Sequence, residues 1–258
     1  MRAFFTGILV SVTAALIGVS LTLRRFSMIG DGLSHVGFGA LGVAALLSLS
    51  PMALTVPVVI VSAVILLHFS QKTGSRGDAS IALLSSSALA VGVIAVSLGG
   101  VNTDLNAFLF GSILSVSKSD AVLSAVLSAI ALMSYTLFYH QIYITTFDPA
   151  FSKATGIRTE RYTLLLSILT ALVVVIGMRI LGSLLVSALI IFPAMISTKL
   201  CKTYLGVTLF SAAESVSAFI IGFVFSYALS LPTGASIIVI HLAFFLLASI
   251  WRAIRNHI

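Results

Sequence analysis

An acidic or imidazole side chain inside a long apolar stretch is costly to keep there, so each one marks a place where chemistry is expected. The segment Gly30-Asp31-Gly32-Leu33-Ser34-His35 holds two such groups. Asp31 and His35 are four positions apart, which on a helix puts them on one face with Cβ atoms about 5–6 Å apart. The same face continues through Gly39 and Gly42. A carboxylate and an imidazole one turn apart can both ligate a divalent cation of the zinc, manganese or iron type. Bare backbone beyond them lets another helix, or a passing ion, come close. An ordinary structural role also fits, with Asp31 capping its helix and His35 bonding a nearby carbonyl, and spacing alone leaves both readings open.

Glu214 is the sole acidic residue of the apolar run 204–228 and shares its helical face with Ser211, Ser215, Ala218 and Gly222. A carboxylate on such a small-residue face is expected to point into the bundle or a water-filled path. The alternative is a protonated or hydrogen-bonded glutamate that joins two helices. His241, in the middle of another apolar run, is a lesser candidate for the same path; His68 and His140 fall near run ends and His257 near the last residue. A third group lies in the loop Phe147-Asp148-Pro149-Ala150-Phe151-Ser152-Lys153-Ala154-Thr155-Gly156. Asp148 suits a helix N-cap, Pro149 the first helical position and Gly156 the residue after the C-cap. This predicts a two-turn helix between spans with Phe151 as an apolar knob. It is either plain loop structure or a plug for a cytosolic partner.

The elements that must position these groups follow from composition. Of 258 residues, 59% are hydrophobic and 8% charged, and the mean hydropathy is +1.20. Soluble domains run at about 45–50% apolar and about 25% charged, so a water-soluble globular enzyme is excluded, and so is a disordered chain. Apolar runs at about 3–23, 33–49, 52–70, 79–99, 120–143, 162–180, 183–198, 204–228 and 235–252 give eight or nine membrane spans, since 162–180 and 183–198 form either two spans or one broken unit. A further apolar piece, 107–115, is too short to cross. The expected fold is all-α: a polytopic transmembrane helical bundle forming a single domain over 1–258, without alternating barrel strands. The first run is long and lacks a small-residue cleavage site, so it is expected to stay as a span.

The net charge of +7 comes from basic residues between the apolar runs. They form no face for nucleic acid, and the positive-inside rule accounts for them better. Arg24-Arg25, Lys72 and Arg76, Lys153, Arg158 and Arg161, Lys199 and Lys202, and Arg252 and Arg255 then lie in the cytoplasm. That places the C-terminus inside; nine spans place the N-terminus outside, and eight place it inside. Arg179 fits this scheme least well, near the outer end of a span. The lone Cys201 sits in a basic loop and forms no internal disulfide. There is no G-x-x-x-x-G-K-[ST] loop to hold ATP and no H-E-x-x-H metalloprotease motif. Gly30-Asp31 overlaps the G-x-G-D of intramembrane aspartyl proteases, but position 28 is Met28.

The segment Leu23-Arg24-Arg25-Phe26-Ser27-Met28-Ile29-Gly30-Asp31-Gly32-Leu33-Ser34-His35 resembles the signature of ABC-3 type metal permeases, the membrane subunits of bacterial zinc, manganese and iron importers. Similar stretches follow in order: Phe110-Gly111-Ser112-Ile113-Leu114, Phe147-Asp148-Pro149 through Gly156, Gly182-Ser183-Leu184-Leu185-Val186-Ser187-Ala188-Leu189, Phe192-Pro193-Ala194 and Leu231-Pro232-Thr233-Gly234-Ala235-Ser236. The resemblance implies a type II ABC importer-like permease in the bacterial cell (inner) membrane. It implies a homodimer with a path at its interface, two ATP-binding subunits and an extracytoplasmic metal-binding protein. It also implies that Asp31, His35 and Glu214 contact the metal, and that helix 149–155, with Asp148, Pro149, Phe151 and Gly156, couples to the ATPase. ATP hydrolysis would then belong to the partner, no cofactor would be permanently bound, and the transported cation would be Zn2+ first, with Mn2+ or Fe2+ as alternatives. A rival from another class is a proton-coupled secondary transporter using the same three residues as a relay.

Overall fold

The computed structural model describes residues 2–73, 77–99 and 117–257. Both the apolar piece 107–115 and the Phe110–Leu114 motif lie outside them. Eleven helices account for nearly all of the described residues: α1 Arg2–Leu23, α2 Ile29–Leu46, α3 Pro51–Thr73, α4 Gly77–Gly99, α5 Lys118–Leu137, α6 Tyr139–Phe147, α7 Pro149–Ala154, α8 Thr159–Leu181, α9 Ser183–Leu200, α10 Tyr204–Leu229 and α11 Thr233–His257. Eight of these are long and apolar enough to cross a membrane, and α3 contributes a shorter apolar stretch, Pro51–Leu67. The expected all-α polytopic bundle is what forms.

One boundary differs from the hydropathy reading, and one open alternative is decided. The run 120–143 divides at Phe138 into α5 and the short α6, a break that no glycine or proline marks. The pair 162–180 and 183–198 is two helices, α8 and α9, parted at Gly182, whose φ of +88° and ψ of 157° belong to a region open essentially to glycine alone.

The centre of the bundle is α1 and α8, whose apolar windows are 67% and 72% buried within the chain, while α4 and α11 lie outermost at 17% each. α1 packs on α9 and α10, α2 between α3 and α4, α3 on α8, and α9 on α11. The helices approach closely where side chains are small, the usual means of association where no water drives burial. A Cβ on Gly18 would lie 2.1 Å from the backbone oxygen of Ile190 in α9. Several interior hydroxyls satisfy themselves locally: Ser11, Thr13, Ser34, Thr55, Ser167 and Thr170 each donate to the carbonyl four residues back, so these groups need no water from the hydrocarbon.

Candidate functional site

α2 begins at Ile29 after a Met28 cap position that makes no side-chain hydrogen bond. Asp31 therefore sits in the first turn without capping it, near the positive end of the helix dipole, which favours a carboxylate. One turn on, His35 Nε2 lies 3.6 Å from Asp31 Oδ2. His35 Nδ1 is buried with no hydrogen-bond partner. Neither half of the ordinary explanation is realised: Asp31 is not the cap, and His35 bonds no carbonyl through that nitrogen. Both side chains remain partly open, Asp31 at 38% and His35 at 24% exposure, while the unpartnered His35 Nδ1 is turned inward. The rest of that face is occupied. A Cβ on Gly39 or Gly42 would lie 2.5 Å from Ala88 O or 2.7 Å from Gly92 O, so these glycines seat α2 against α4. Of the two occupants a bare backbone admits, a helix or an ion, the helix is the one seen within the chain.

Glu214 points into the bundle, as its small-residue face requires. Ser211 pairs with Ser197 of α9 at 2.6 Å, Ser215 donates to the Ser11 carbonyl of α1 at 3.1 Å, and Gly222 lets the Ile237 backbone of α11 come close. Glu214 itself, 6% exposed, meets the fully buried His241 of α11, with Oε1 to Nδ1 at 2.9 Å. Phe192 of α9 stacks on the imidazole at 5.9 Å and 19°. Glu214 Oε2 and His241 Nε2 have no partner. Among the described residues no three His, Cys, Asp or Glu side chains converge. Among the described residues there are thus two acid–imidazole pairs, one on α2 and one between α10 and α11, and Glu214 does not join Asp31 and His35.

The loop helix forms as its end residues dictate. Asp148 Oδ1 accepts from Phe151 N at 2.8 Å, Pro149 opens α7, and Gly156 turns away with φ +81°. Phe151 projects at 56% exposure. What sequence reasoning missed is the tie between this loop and α2. Arg24, just after α1 and before the Asp31 segment, donates to Thr145 and Thr146 of α6 at 2.8 and 3.2 Å and to Thr163 of α8 at 3.2 Å. Burial lowers its pKa to about 10, which leaves it charged at neutral pH. As a sequence it was one more positive-inside marker; as a structure it binds the helices flanking α7 to the chain entering α2. Arg179 also finds its place: Nη2 pairs with Asp120 Oδ1 at 2.6 Å, joining the last turn of α8 to the first turn of α5.

The manganese import system permease protein ScaB of Streptococcus gordonii is 29% identical over 96% of this chain and 89% of its own length. The high-affinity zinc uptake system membrane protein ZnuB of Haemophilus influenzae is 26% identical over 95% of each. Among solved structures, PsaBC from Streptococcus pneumoniae in complex with Fab superposes with a TM-score of 0.84 at 29% identity, covering 96% of this chain and 89% of that one. The family model of the ABC 3 transport family matches residues 1–252, and this chain, a multi-pass membrane permease, belongs to that family.

Proposed function

We propose that this chain is the membrane subunit of an ATP-driven importer of a divalent transition-metal cation, and that Asp31 and His35 are its cation contacts. The observation carrying the reading is the α2 pair: a carboxylate and an imidazole 3.6 Å apart, partly accessible, with His35 Nδ1 unpartnered. Two ligands per chain are too few for a tetrahedral cation; the same pair from a second copy would make four. Glu214, bonded to His241 through Oε1 and with Oε2 unpartnered, is the third contact along the same path. Imidazole suits zinc and carboxylate suits manganese, and the names of the relatives divide in the same way. Zinc is our first choice because each protomer offers an imidazole beside its carboxylate.

Hydrolysis of ATP belongs to a separate pair of subunits in this reading, an extracytoplasmic binding protein delivers the cation, and the single permease domain keeps its C-terminus in the cytoplasm. α7 is the coupling helix: Asp148 and Pro149 set its start, Gly156 ends it, and Phe151 is the knob that seats in the ATPase. Arg24 carries movement of the α6–α8 region to the chain entering α2. Phe151→Asp tests this. Co-purification with the ATP-binding subunit should be lost while the permease itself stays monodisperse; an intact, transport-competent complex would sink the coupling assignment.

A further inference from the structure

Where α9 and α11 end side by side, a cleft of about 260 Å3 opens between the loop after α9 and the last turns of α11. Four cations line it: Lys199 and Lys202 from the α9 end, Arg252 and Arg255 from α11. No carboxylate among the described residues lines it. Lys199 is fixed in place, because its Nζ donates to Ser249 Oγ and lies 3.8 Å from the centre of the Phe245 ring. Its charge therefore belongs to the wall of the cleft and does not swing free in solvent. The other three cations are exposed and free to turn toward whatever enters.

Cations near helix C-termini are partly explained by the helix dipole, but each terminus carries only about half a charge. Two termini offset about one cation of the four; the positive-inside rule brings the others to this end of the bundle, and their convergence on one cleft suits it to an anion. The position says which kind. The cleft lies at the end of the outermost helix, where the candidate span Thr233–Arg255 finishes. Trp251, 64% exposed, stands at its lip, and tryptophan concentrates where hydrocarbon gives way to headgroups. Basic pockets between helices at that depth hold anionic lipid headgroups.

We propose that this cleft binds a phosphate group, and that the phosphate is the headgroup of an anionic phospholipid held between α9 and α11. The site is independent of the metal path. A lipid seated there would clamp the α9 end to the α11 end on the same two helices that supply Phe192 and His241.

Trp251 is the only tryptophan in the chain, so its fluorescence reports on this cleft alone. The experiment uses the purified full-length permease in neutral-detergent micelles, doped with phosphatidylglycerol or phosphatidylcholine carrying identical brominated acyl chains. Brominated phosphatidylglycerol should quench Trp251 at a lower mole fraction than the choline lipid. The triple substitution Lys202→Gln, Arg252→Gln, Arg255→Gln should erase that preference. The single Arg255→Gln, the mildest change to the fold, should weaken it by about fivefold. Inorganic phosphate in solution should leave the preference in place. Equal quenching by the two lipids, or a preference that survives the triple substitution, overturns the proposal. Loss of the preference on adding inorganic phosphate assigns the cleft to the free anion and overturns the lipid. Equal quenching combined with loss of the ATP-binding subunit from the triple variant would make it a protein contact and overturn it likewise.

Discussion

Glu214 and His241 hold each other at 2.9 Å in the interior, and each keeps one unpartnered polar atom. A glutamine at position 214 can still accept from the imidazole. Glu214→Gln should therefore leave thermal stability within about 1 kcal/mol of the parent while reducing cation uptake, if the carboxylate serves the path. Glu214→Ala strands a buried imidazole nitrogen and should cost about 1–3 kcal/mol, seen as a lower unfolding midpoint. Unchanged uptake in the glutamine variant would reduce Glu214 to a helix-joining residue. Arg24 makes a comparable argument at the other end of the site. Its guanidinium serves three hydroxyls with three separate donors, a geometry lysine cannot copy. Arg24→Lys should lower stability by about 2 kcal/mol and depress uptake more than binding of the ATPase. Equal loss of both would mean that Arg24 supports the fold and not the coupling.

At the scale of elements, α7 depends on its cap and α1 on its glycine. Asp148→Ala removes the bond to Phe151 N and should cost about 1 kcal/mol. That loss is confined to the loop, so proteolytic nicking near α7 should rise while global unfolding barely shifts. Gly18→Ala puts a methyl 2.1 Å from the Ile190 oxygen, so α1 and α9 must separate. The expected cost is about 3 kcal/mol, measured as the unfolding midpoint in detergent, and a tolerated alanine would contradict the close approach. These elements also show what a sequence makes legible. The α7 helix could be read in advance because capping is local: Asp148, Pro149 and Gly156 each act within a few residues. The α5–α6 break at Phe138 could not, since neither glycine nor proline marks it and hydropathy averages over a window wider than the break.

At the scale of the whole molecule, the bundle was legible from its apolar runs and the α2 pair from its spacing of four. The partners chosen across the fold were not. His241 lies 27 residues from Glu214, and the hydroxyls that receive Arg24 lie 121 to 139 residues away. No periodicity encodes such pairings; they follow from which helices the small residues allow together. Gly39 and Gly42 carry the same lesson in reverse. A bare backbone face looked open to an ion or a helix, and α4 fills it.

The most direct test of the central claim is elemental analysis of cells that lack their own zinc and manganese importers and express this chain with its ATP-binding subunit and binding protein. Zinc should accumulate with the parent chain, and the accumulation should disappear with Asp31→Ala although the complex still assembles. Accumulation unaffected by Asp31→Ala, or uptake that persists without the ATP-binding subunit and collapses with the proton gradient, would contradict the account.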